Sequence, residues 1–156
     1  MTPCTRLVDR IMSVMDAAFD PAFGEAWNRR QIADALAMPN THALVIDKDG
    51  EPIDGDRSDQ PAGFVLTRHA ADEEELLLIA VIPECRQRGL GARLIDRLFA
   101  SARARGTSKV FLEMRRGNPA ERLYHKKGFE PIGERPNYYL MADGSRLDAI
   151  TYGCSI

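Results

Sequence analysis

The feature that most constrains the fold is the stretch over residues 75–94, "ELLLIAVIPECRQRGLGARL". Its apolar run is far shorter than the ~20 residues of a membrane span and closes on Pro83, so it reads as a central strand. Two arginines and a Gly-Leu-Gly corner follow. Leu94, Ile95, Leu98, Phe99 and Ala102 then fall on one helical face. A strand that feeds a helix through such a corner leaves the first N–H groups of that helix without partners, and the helix dipole adds positive potential there. Gly89 and Gly91 would let an oxyanion approach those amides, and Arg86 and Arg88 add charge. A phosphate or pyrophosphate is the expected guest.

The rest of the chain supplies elements on both sides of this corner. Apolar spacing predicts a helix over residues 7–19, stopped by Asp20-Pro21. Asn28 with Gln31 three positions on predicts a capped helix through "IADALAM". "HALVI", "GFVLTRH" and "ELLLIAVI" read as strands, with residues 47–61 as a long polar hairpin connection. Gly106 is placed to stop the helix after the glycine corner. "KVFLEMR" alternates, Val110, Leu112 and Met114 facing one way, Phe111, Glu113 and Arg115 the other. Asn118-Pro119-Ala120-Glu121 has the order of a cap, a first-turn proline and a third-position glutamate, and Gly128 ends that helix. "FEPIGE", "YYLM" and "DAITYG" are the closing strands. This order of helices and strands predicts an α/β domain with a mixed sheet, one domain over residues 1–156, without repeat or linker.

Composition excludes several classes. Hydrophobic residues are 44% and charged residues 28% of the 156, a soluble globular mix. Charges scattered through the first sixteen residues do not fit a secretory signal. Cys4, Cys85 and Cys154 are too far apart for a disulfide framework or a zinc site, so a reduced, cytoplasmic setting and no metal are expected. Charge is unevenly spread. Residues 47–75 hold ten acids against Lys48, Arg57 and Arg68, whereas residues 86–109 hold seven bases against Asp96. Such blocks are either solvated faces or surfaces for partners of opposite charge. Basic residues without interleaved aromatics, in a chain of pI about 5.9, argue against nucleic acid.

Three phosphate motifs compete for the corner. The P-loop pattern GxxxxGK[ST] is absent. GxGxxG fails where Leu94 stands in place of the third glycine, and Gly91 comes too late in the chain for a fold that starts on that motif. Arg86-Gln87-Arg88-Gly89-Leu90-Gly91 does match R/Q-x-x-G-x-G/A. With "LEMRRGNPAERLYHKKGF" following as a strand and a helix ending in L-Y-x-x-x-G-F, the chain resembles the GCN5-related N-acetyltransferase (GNAT) superfamily. "FGEAW", "ELLLIAV", "LEMR", "NYY" and the late "DA" resemble its ribosomal-protein-alanine N-acetyltransferase branch. The resemblance implies a mixed, mostly antiparallel sheet flanked by helices, with a splayed central strand, and acetyl-CoA as co-substrate.

The same resemblance implies site residues. Backbone groups of Ile79, Ala80 and Val81 would pair with the pantetheine arm, and the loop from Arg86 through Ala92 would hold the pyrophosphate. Glu113 would be the base; by pattern alone it fits a solvent-facing or Arg115-paired carboxylate as well. Glu74 and Glu75 are rivals for the role. Tyr124 would donate to the departing thiolate, a phenol of ordinary pKa near ~10 being protonated at neutral pH, although packing between Leu123 and Phe129 would also account for it. His125 reads as an exposed helix residue. Asn118 would touch the coenzyme, but the chain is one residue short here: counting forward from Glu113 reaches Asn118, counting back from Tyr124 reaches Gly117. Trp27, Tyr138 and Tyr139 would line an acceptor groove or be ordinary half-buried aromatics, and the acids at 47–59 and 72–75, Glu75 among them, would suit a basic peptide.

The function implied is an acetyl-CoA-dependent acyltransferase acting directly on the N-terminal α-amine, alanine, of a basic ribosomal protein. A small-molecule amine acceptor and a non-catalytic acyl-CoA-binding module are the alternatives.

Overall fold

The computed structural model describes residues 2–19 and 24–156, so the predicted stop at Asp20-Pro21 lies outside the described residues. Helix α1 (Pro3–Ala18) starts before the predicted Leu7 because Thr2 caps it, accepting from the Thr5 N–H at 3.1 Å, with Pro3 in the first turn. Helix α2 (Arg29–Leu36) has the expected capping box. The Asn28 side chain accepts from Gln31 N and the Gln31 side chain from Asn28 N, each at 2.8 Å.

Strands β1 (Thr41–Ile46) and β2 (Gly63–Ala70) form an antiparallel hairpin across the long connection. Strand β3 (Glu73–Val81), a short 3-10 turn, helix α3 (Leu90–Ala104), strand β4 (Lys109–Arg115) and helix α4 (Glu121–Lys126) follow. Strands β5 (Glu130–Leu140) and β6 (Arg146–Ser155) close the chain. The sheet order is β1-β2-β3-β4-β6-β5, with only β3 and β4 parallel, so the mixed, mostly antiparallel α/β fold is as expected. Residues 63–67 of β2 are buried without interruption, and both α1 and α3 pack on that strand, which places one helix on each face of the sheet. Among the described residues no helix is long and apolar enough to cross a membrane.

Three local expectations change. The Asn118 side chain does accept a backbone bond, from Ala120 N at 2.9 Å, but the turn it caps closes between Glu121 N and the Asn118 carbonyl, and α4 begins only at Glu121. Glu121 therefore does not cap; it accepts from the Tyr152 hydroxyl at 2.9 Å. "FEPIGE" and "YYLM" are parts of one strand, β5, whose pairing with β6 is irregular between Arg135 and Tyr139, where Asn137 has φ of 54°.

The third change concerns charge. The acidic and basic blocks meet through Glu51 and Glu74, whereas Asp47, Asp59 and Glu75 pair with Arg57 and Arg68 of their own block. Arg93 and Arg97 of α3 both reach Glu51, at 3.5 Å, and also bond the backbone carbonyls of Asp49 and Gly50, tying the hairpin connection to the helix. Asp47 accepts from Asp49 N, Glu51 N and Arg57. Burial alone would raise its pKa, but these donors outweigh that and hold the carboxyl below its ordinary range.

Candidate active site

Strands β3 and β4 pair through only three residues each, Glu73–Glu75 with Lys109–Phe111. Past that point β3 stays bonded to β2 as far as Val81, with a bulge at Leu77, while its other edge has no strand partner. The central strand is splayed, as the resemblance implied. The two strands become the walls of a cleft of about 990 Å3, lined by residues 76–81 of β3 and 112–115 of β4. Unpaired backbone groups along a strand edge accept an extended arm as an added strand would be accepted. Ile79, Ala80 and Val81 supply that edge.

The glycine corner closes one end of the cleft. Gln87, Gly89, Leu90, Gly91 and Ala92 line it. Gly89 caps α3 in the left-handed region, φ 79°, and a Cβ there would meet nothing within 4 Å, so backbone conformation dictates this glycine. Gly91 has a different reason: its Cβ would sit 2.9 Å from Leu123 Cδ2, so α4 packs directly on the first turn of α3. Arg86 also lines the cleft, but its guanidinium donates to the Val81 carbonyl at 3.0 Å and the Ala18 carbonyl at 2.6 Å. It fastens the end of α1 to the rim of β3. Arg88 is exposed and does not line the cleft.

Glu113, Tyr124, Asn118, Trp27 and Tyr139 all border the same space. Glu113 lies on the half-exposed face of β4, its Oε2 3.6 Å from Arg135 Nε. Tyr124 is 6% exposed, packed edge-on against Phe129, and burial, with the Glu25 carboxylate adding to it, holds its phenol well above the ordinary value of 10.0. Tyr139 is pushed up to about 12, first by burial and then by Glu113. Both phenols are therefore protonated donors near neutral pH. Asn118 borders the cleft and Gly117 does not.

Glu75 and Tyr138 stand elsewhere. Glu75 pairs with Arg68 at 2.9 Å across β2, and Tyr138 is 49% exposed beneath the guanidinium of Arg135. Glu74 is fully buried and bonded twice by Arg105, at 3.1 and 2.6 Å. His125 is exposed, 3.7 Å from Glu121.

Among the charged residues of the cleft, sequence reasoning gave no site role to Glu25, Arg115, Arg122 and Lys126. Glu25 accepts from Arg115 Nε at 2.7 Å, joining the segment before α2 to the end of β4. Ninety positions separate the two, and no local pattern announces the pair. Arg122 and Lys126 did leave a signal, two cations at helical i, i+4 spacing beside the Asn118 turn.

A strand that leaves its neighbour, a helix amino end closing the gap, and a carboxylate and a phenol bordering the same space are the features to set beside known proteins. The profile described as "Acetyltransferase (GNAT) family" matches residues 8–129, and the chain belongs to that family. Among curated proteins it is 33% identical over 97 residues to the [ribosomal protein bS18]-alanine N-acetyltransferase of Haemophilus influenzae, covering 62% of this chain and 66% of that protein. It is 40% identical over 90 residues to the Escherichia coli K12 protein of the same name, covering 57% and 60%. The chain thus spans less than two thirds of the length of these relatives. Among solved structures, the ribosomal-protein-S18-alanine N-acetyltransferase from Escherichia coli superposes with a TM-score of 0.79 at 28% identity, over 97% of this chain and 89% of that one.

Proposed function

We propose that this protein transfers the acetyl group of acetyl-CoA directly to the N-terminal α-amine of a protein, with the alanine terminus of a ribosomal protein as the favoured acceptor. The observation that carries the reading is the splay of β3 from β4, with the α3 amides at one end and Glu113 and Tyr124 on its walls. The relatives that share this sequence pattern are named for alanine N-acetylation of bS18, which supports the choice of acceptor.

In this reading the pantetheine arm pairs with the free edge of β3, and the pyrophosphate meets the amides of residues 89–92. Glu113 accepts a proton from the acceptor ammonium, whose pKa of about 7.7–8.0 leaves much of it charged at neutrality. The freed amine attacks the thioester carbon, the C–N bond forms, the C–S bond breaks, and the surplus proton on the new amide nitrogen passes to solvent. The departing thiolate takes a hydrogen bond from the Tyr124 hydroxyl. Its raised pKa makes this phenol a stabilising donor in the transition state, with the thiol's final proton drawn from solvent. No enzyme nucleophile takes part.

Mass spectrometry of the N-terminal proteome, with and without the protein, tests the reading. An alanine terminus of a basic ribosomal protein should lose its acetyl group when the protein is absent. An unchanged N-terminal proteome, together with turnover of a small amine in vitro, would move the acceptor to a small molecule.

A further inference from the structure

A second cavity, of about 90 Å3, lies between the β1–β2 hairpin and α3, and it shares no lining residue with the cleft. At about 30 Å3 per water in the liquid, it matches roughly three waters or one ion of four or five non-hydrogen atoms. His42 of β1 stands opposite Thr67 of β2 in the antiparallel register, so both belong to the same face of the hairpin. Arg97, Ser101 and Arg105 follow at four-residue steps along α3 and its C-cap, hence on one side of the helix. Polar groups therefore reach the cavity from the sheet and from the helix. Thr67 is 2% exposed, yet its hydroxyl has no hydrogen-bond partner among the described residues, where a buried hydroxyl is ordinarily bonded. Arg97 uses Nε and Nη2 on the Gly50 carbonyl and Glu51, and Arg105 uses the same two atoms on Glu74. Nη1 of each makes no hydrogen bond among the described residues. His42 bonds His69 through Nε2, which leaves its Nδ1 for a further partner.

The lining chooses among ligand classes. Arginines line this cavity and carboxylates do not, which disfavours a metal ion or an amine. An apolar guest would leave the Thr67 hydroxyl unmet. Arg93 and Arg97 share one carboxylate, that of Glu51, so the two carry one positive charge more than it neutralises. Donors that converge from a sheet and from a helix are spread over several directions, which suits a tetrahedral oxyanion better than a planar carboxylate. We propose that this cavity binds a small tetrahedral oxyanion of the phosphate class, held by the Thr67 and Ser101 hydroxyls, the His42 ring and the Arg97 and Arg105 guanidiniums. Bound there, the ion joins β1 and β2 to α3, reinforcing the tie that Arg93 and Arg97 make to the hairpin connection. The site stands apart from the acetyl-CoA reading of the cleft and does not depend on it.

Titration of the whole protein with inorganic phosphate tests it, read by NMR on the three histidine rings, with potassium chloride at matched ionic strength as the control. His42 and His69 should shift together along one saturable curve, whereas His125, on α4, should stay in place. Phosphate should also raise the urea midpoint, as any ligand of the folded state does. Thr67→Val replaces the hydroxyl by a methyl group of similar shape and should weaken phosphate binding about tenfold, the scale of a hydrogen bond to a charged group. Without phosphate the same variant should unfold at the same or a higher urea concentration, because the hydroxyl it removes has no partner. Ser101→Ala, at an exposed position, should weaken binding severalfold and gives a second reading that leaves the core untouched. Equal shifts with chloride, a phosphate shift confined to His125, or one phosphate affinity shared by wild type and both variants overturns the site.

Discussion

At its start β3 has strand partners on both edges; past Glu75 it has one. The closed half holds Glu74, fully buried, with Arg105 bonding both of its oxygens and the Thr107 hydroxyl 3.4 Å away. The open half faces Glu113 across the splay, with the Arg135 guanidinium 3.6 Å from its carboxylate. The two glutamates occupy neighbouring strands of one sheet, yet the first is held in a buried ion pair and the second borders the cleft. Strand pairing makes the difference. Where β3 and β4 touch, a charge must be neutralised to be buried; where they part, it borders solvent and substrate space.

Breaking the open half should have the largest consequence. Glu113→Gln is expected to lower kcat/KM about a hundred- to a thousandfold, the range of a positioned general base. The loss should be greatest at low pH and shrink above about pH 8, where the acceptor amine is already neutral. Rates across pH for wild type and variant check this, and parallel profiles would return the role of base to another group. Next comes the closed half: Arg105→Ala leaves Glu74 buried without its partner and should cost about 3 kcal/mol in urea unfolding. Acetyl-CoA affinity should change little in the same variant, which is what separates the two halves of the strand.

Tyr124→Phe sharpens the comparison on the reaction side. Losing a hydrogen bond to a developing thiolate is worth about 2 kcal/mol, or roughly thirtyfold in kcat. Acetyl-CoA affinity should hold, since the packing against Phe129 survives in the variant. A matched loss of affinity would mark Tyr124 as a packing residue only.

The smallest effect lies near the closed half, where His42 and His69 share a 2.7 Å hydrogen bond and stack with ring centroids 4.9 Å apart. Burial, then Arg105, lower the His42 pKa from its ordinary 6.5; Glu74 opposes them and His69 adds to them. The folded ring thus binds its proton less readily than the unfolded one. Its contribution to stability is complete above about pH 6.5 and declines as pH falls from there through the lowered folded pKa. His42→Asn should flatten the dependence of the urea midpoint on pH below 6.5, and an unchanged slope would remove the ring from the account.

Local chemistry made much of this legible in the sequence. The Asn28–Gln31 box is a contact over three positions, and the alternation that turns Glu113 away from Val110, Leu112 and Met114 is a period of two. The glycine corner was equally readable, although the close packing of Leu123 on Gly91 appears only once α4 is placed beside it. What stayed hidden depends on distant partners. Arg86 turns back to α1 over 68 positions, and Glu25 reaches Arg115 over ninety. The two charged blocks, read apart, suggested external partners of opposite sign. Folded, α3 reaches the 47–61 connection through Arg93 and Arg97, which share Glu51, and Arg105 after it pairs with Glu74. The acids that remain on the cleft are Glu25 and Glu113, and no composition count separates those two from the rest.

The central claim is that the splay of β3 holds acetyl-CoA for direct transfer to an amine. Intact-mass measurement of the protein and of a basic, alanine-starting peptide after incubation with acetyl-CoA tests it most directly. The account predicts one acetyl group on the peptide α-amine and none on the protein, whether or not the peptide is present. A stable acetyl group on the protein in the absence of peptide, or no transfer to any amine at saturating acetyl-CoA, would contradict it.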